Sequence, residues 1–148
     1  PFELVASILR VMDAVPDTTQ RSAQIVARLG QPIFGRATPD GWPDRGDAWM
    51  NTGALMNRVN LGAQTGANQM PNVAVARWAA SRQLPGHSPD ETVDAVIRAT
   101  LAGDPSPATR EGLLGVSRPS ATATPQQRLA YVASLLGVAI GSSDFQRR

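Results

Sequence analysis

Asp40, Asp44 and Asp47 stand close together in and just after a stretch dense in Gly and Pro, QPIFGRATPDGWPDRG over residues 31–46. Carboxylate oxygens gathered at that density suit a hard cation such as calcium, although the spacing is not that of an EF-hand. The alternative is a solvated loop in which Asp47 caps the helix that follows. Trp42 and Trp49 flank Pro43 and Gly46 in the same region. They form either a stacking platform for a sugar or another planar or apolar ligand, or anchors that hold the loop down, since each Trp buries roughly 150–250 Å². Arg58 supplies a guanidinium nearby in sequence. It either satisfies carbonyls or a carboxylate beside the loop, joining Asp44 and Arg45 in an ion-pair network, or binds an anion. The candidate ligand set is therefore Trp42, Trp49, Asp44 and Arg58, and the candidate calcium set is Asp40, Asp44 and Asp47.

Other chemistry is scarce. The chain has one His and no Cys, which removes thiol nucleophiles, disulfide frameworks, zinc fingers and any site needing two imidazoles. His87, in Pro85-Gly86-His87-Ser88-Pro89, reads as a loop histidine. Ser88, Ser106 and Thr124 each precede Pro, so their hydroxyls have a sufficient role as helix caps and are poor nucleophile candidates. Glu3, Glu91 and Glu111 have no motif around them. A carboxylate pair for hydrolysis would have to be assembled from distant segments.

Composition narrows the class further. All 14 cationic residues are Arg against 12 acids, a formal net charge of +2, and the sequence pI near 10.4 reflects groups that stay protonated at high pH rather than a basic patch. A nucleic-acid-binding surface needs clustered cations interleaved with aromatics, and here the charge is spread thinly. The longest apolar stretch, Leu129 to Gly141, contains Ser134 and falls short of the roughly 20 residues that span a bilayer. It reads as a buried helix.

The elements that position these residues are helices. Val5, Ile8, Leu9, Met12 and Val15 recur at helical intervals over residues 2–15, with Pro16 ending the run. A second helix starts at Asp17 or Thr18, carries Ser22, Ile25, Val26 and Leu29 on one side, and ends at Gly30, suited to the left-handed conformation. Residues 31–46 hold too many breakers for a regular element, and bulky Phe34 and Trp42 imply a loop folded against the body of the protein. A third helix runs from Asp47 to before Gly62, with Leu55, Met56 and Val59 on one face. Residues 62–72 read as irregular, and Trp78, in a weakly patterned stretch, as packing against a portion outside this chain. Ser88-Pro89, Ser106-Pro107 and Thr124-Pro125 open three more helices; Glu91 and Gln127 complete capping boxes in two of them. The last, apolar on both sides, should be central. The expectation is an all-α domain over residues 1–148, about six helices with long, unequal loops.

The string GQPIFGRATPDGWPDRGDAWMNTGALMNRVNLG, the opening PFELVASILRVM and the closing GSSDFQRR together resemble the C-terminal part of the bacterial domain-of-unknown-function family eighteen-hundred. The resemblance falls on Gly30, Gln31 and Pro32, on Gly41, Trp42 and Pro43, on Trp49, Leu55 and Arg58, and on Ser142, Phe145 and Gln146. Ser143 and Asp144 stand where that family has Pro and Glu. The resemblance implies a helical protein, a further N-terminal portion and export to the periplasm or beyond; it implies no reaction. The start at Pro1, without Met, fits a piece of a longer chain.

Two functional readings follow. In the first, the chain is a non-catalytic helical module that completes a larger exported protein and presents residues 31–49 to a partner; an apolar patch should then be exposed where the remainder docks. In the second, Trp42, Trp49 and Asp44 line part of a glycan-binding or hydrolytic cleft that the further N-terminal portion completes.

Overall fold

The computed structural model describes residues 1–16, 18–49 and 51–147, and every regular element among them is helical. The helices are α1 (Phe2–Val11), α2 (Arg21–Arg28), α3 (Thr52–Gly66), α4 (Val75–Ser81), α5 (Pro89–Thr100), α6 (Pro107–Leu114), α7 (Pro125–Gly141) and α8 (Ser143–Gln146). The six expected helices are present, and α4 and α8 add two short ones. No helix among the described residues is long and apolar enough to cross a membrane.

The start signals of the second half work as local chemistry requires. Ser88 Oγ accepts from the Glu91 amide while Glu91 returns a bond to the Ser88 amide, and Thr124 and Gln127 do the same for α7. Ser106 caps α6. As its two-sided apolar pattern demands, α7 lies at the centre, with α3, α4, α5, α6 and α8 packed on it and Tyr131, Val132, Leu135, Leu136, Ala139 and Ile140 buried.

The structure departs from the expected boundaries where tertiary contacts take over backbone groups. Helix α1 stops at Val11 rather than Val15: the Val11 carbonyl accepts from the Trp78 indole Nε1 at 2.7 Å, and the Val15 amide turns instead to the Asn72 carbonyl. Trp78, 1% exposed, is thus a rivet between α4 and the end of α1, not a contact for an external portion. Arg82 lies over its ring at 4.3 Å and pairs with Asp13. Helix α2 starts at Arg21; Asp17 lies outside the described residues. Gly30 adopts φ +94°, as its place after α2 requires.

The largest departure is α3, which begins after Asn51 and runs through Gly62 to Gly66. Its N-cap is Asn51, whose side chain accepts from the Ala54 amide; Asp47 sits one step earlier, in a 3-10 turn over Gly46–Trp49. Gly62 and Gly66 continue the helix because they face the backbone of α7. A Cβ on Gly62 would lie 2.5 Å from the Gly141 nitrogen and 2.7 Å from the Gly137 oxygen, and one on Gly66 would collide with the Ala133 carbonyl. Breakers in isolation, these glycines let two helices meet backbone to backbone.

Candidate functional site

The loop between α2 and α3 braces itself. Thr38 and Arg36 both donate to Asp40, and together they hold its carboxyl below the usual range, the Thr38 hydroxyl contributing most. The Arg36 guanidinium lies 5.5 Å from the Trp42 ring centroid. Trp42 in turn meets Trp49, centroids 5.7 Å apart and planes tilted by 40°, and Trp49 Nε1 donates to the Pro43 carbonyl at 2.9 Å. Both indoles are half-buried. They anchor the loop and still leave surface open.

Phe34 does not fold inward as expected. It is fully exposed, 102%, on backbone at φ +59°, a conformation that bulky residues rarely adopt and that costs of order 1 kcal/mol. Ile33 beside it is exposed too.

Trp42, Trp49, Asp44 and Arg58 line a single cleft of about 520 Å³, completed by Phe2, Glu3 and Ser7 of α1, by Gln31, and by Phe145 and Gln146 of α8. Gln31 Oε1 accepts from the Phe2 amide, tying two walls together, and Gln146 Nε2 donates to the Gly141 carbonyl, fixing α8 to the end of α7. Arg58 projects from α3, and among the described residues it forms neither an ion pair nor a hydrogen bond to the protein. The network with Asp44 and Arg45 is not formed: Arg45 pairs with Asp47 at 3.1 Å. A half-buried guanidinium without a protein acceptor is a donor set held ready.

The calcium grouping is not assembled. Among the described residues no three ligating side chains come together to hold a metal ion. Asp40 is held by Arg36 and Thr38, Asp47 by Arg45, and Asp44 lines the cleft.

Glu3, Ser7, Gln31 and Gln146 were not singled out as site residues by residue type and spacing. By type Ser7 and Glu3 are ordinary polar positions on α1, although both lie in the opening string PFELVASILRVM. Gln31, Trp42, Pro43, Trp49, Arg58, Phe145 and Gln146 likewise belong to the strings that carry the family resemblance, and these distant strings converge on this one cleft. No curated protein and no solved structure matches the chain. A family model does, that of the proteins of unknown function designated DUF1800, over residues 1–147, and the chain belongs to this family.

Proposed function

We propose that the chain is a non-catalytic helical module of a larger exported bacterial protein, and that the loop over residues 31–49, with its cleft, is the face it presents to a binding partner. The observation that carries this reading is Phe34. The loop is braced internally through Asp40, Arg36, Trp42 and Trp49, yet Phe34 stands outside that brace, on strained backbone in full solvent. That arrangement returns nothing to the fold, so it is better accounted for as a recognition element.

A second apolar surface supports the modular part of the reading. Leu55, Met56 and Val59 on α3 are 42%, 57% and 51% exposed, a stripe of the kind expected where the remainder of the protein docks. Hydroxyl-radical footprinting separates the two surfaces. In the full-length protein Met56 should be protected from oxidation and Phe34 should remain reactive. A protected Phe34 would mean that the loop serves its own chain, and the reading would be abandoned.

A further inference from the structure

The cleft has a neighbour. A second hollow of about 460 Å³ is lined by Val26, Ile33, Phe34 and Arg36, and it shares Phe2, Gln31 and Trp42 with the cleft. Trp42 is thus a common wall with a different chemistry on each side.

On the cleft side stand Asp44, Glu3 and Arg58, none of them in an ion pair among the described residues. An anionic ligand would meet two carboxylates, and a cationic one would meet the guanidinium. A neutral polyhydroxylated ring satisfies both, because each hydroxyl donates to a carboxylate and accepts from a guanidinium. The half-buried indoles offer apolar walls to the carbon-bound hydrogens of such a ring. An extended peptide is disfavoured, since the all-helical fold offers no strand edge among the described residues to pair with its amides.

On the other side the chemistry is apolar. Arg36 is the charged residue there, and it is engaged by Asp40 and Trp42; Val26, Ile33, Phe34 and Phe2 offer nothing to a hydroxyl. We propose that the two hollows form one groove for an amphipathic glycoside, its sugar ring beside Trp49, Asp44 and Arg58 and its apolar substituent against Ile33 and Phe34, with Trp42 between them. This rests on reading the loop as a recognition face and names the class of ligand that the face takes.

The test follows the indole N–H resonances of the three Trp residues by NMR while hexyl β-glycosides of glucose, galactose and mannose, the matching methyl β-glycosides, and hexan-1-ol are titrated in. Trp78, buried against Val11, is the internal control for an intact fold. Expected is a hexyl glycoside that shifts Trp42 and Trp49 but not Trp78, and that binds at least about tenfold tighter than its methyl counterpart, as burial of a few methylenes implies. The double variant I33S/F34S, at two exposed positions, should remove most of that advantage, and Arg58→Gln should weaken both glycosides alike. Equal binding of methyl and hexyl glycosides would overturn the two-sided groove, as would equal binding of hexan-1-ol and the hexyl glycosides. Absence of any shift would overturn the ligand class. In that event Phe34 reactive and Met56 protected in the footprint would leave the modular reading standing, so the two ideas fail separately.

Discussion

At the scale of single residues, strain and stability separate at Phe34. A glycine at φ +59° has no Cβ to clash, so the strain vanishes, while the flexible unfolded chain gains a comparable entropy. Phe34→Gly should therefore leave stability within about 1 kcal/mol of the parent, measured by chemical denaturation, while weakening recognition by the loop. Loss of several kcal/mol would show that the ring supports the fold after all. Asp144 behaves in the opposite sense. Its carboxylate accepts from the Ser106 amide at 2.7 Å, and hydroxyl bonds from Thr109 first and Ser106 second hold its pKa below the usual carboxylate range. A folded-state pKa below the unfolded one gives stability that is present above the unfolded value and lost as pH falls through the folded value. Asp144→Asn should accordingly melt lower than the parent at neutral pH, and the gap should close as the pH drops below the usual carboxylate range. A gap independent of pH would assign the effect to packing rather than charge.

At the scale of elements, the crossing of α3 and α7 makes opposite predictions for glycines that look alike in sequence. Gly66→Ala drives a methyl into the Ala133 carbonyl, which belongs to the backbone and cannot rotate aside; the loss should be about 2 kcal/mol or more. Gly137→Ala, whose nearest neighbour outside its own helix is 3.5 Å away, meets ordinary contact and gains helix propensity, so it should be neutral or stabilising by up to about 1 kcal/mol. Thermal melts of the two variants decide the matter, and equal losses would refute the packing asymmetry. The same crossing explains what the sequence could and could not disclose. The Ser88, Ser106 and Thr124 starts were readable because a cap and its partner lie within one turn. The end of α3 was not, because Gly62 taken locally ends a helix, while the four-residue spacing of Gly62 and Gly66, repeated at Gly137 and Gly141, is the signal that two helices touch. The end of α1 was hidden for a related reason, its last carbonyl being claimed by Trp78 from far along the chain. In the site, Trp42, Trp49, Asp44 and Arg58 stood out by residue type, whereas Ser7 and Gln146, unremarkable by type, enter the cleft through the packing of α1 and α8. Asp40 and Asp47 were legible as carboxylates but not as partners of Arg36 and Arg45.

At the scale of the whole molecule, the core is organised around an element close to the C-terminus. With α3, α4, α5, α6 and α8 all resting on α7, a chain cut after Ala123 keeps α1 to α6 but loses the surface most of them share. It should show reduced helicity and no cooperative melting transition by circular dichroism, whereas a sharp transition would mean that α1, α2 and α4 form a core of their own. Folding of this kind is slowed by long-range pairing, because loop closure comes before the contacts that reward it. Gly62 and Gly66 must wait for Gly137 and Gly141 to be made. On the ribosome, the glycine face of α3 is bare for as long as α7 remains inside the exit tunnel, and the nascent chain meets the chaperones of the cell with that face still open.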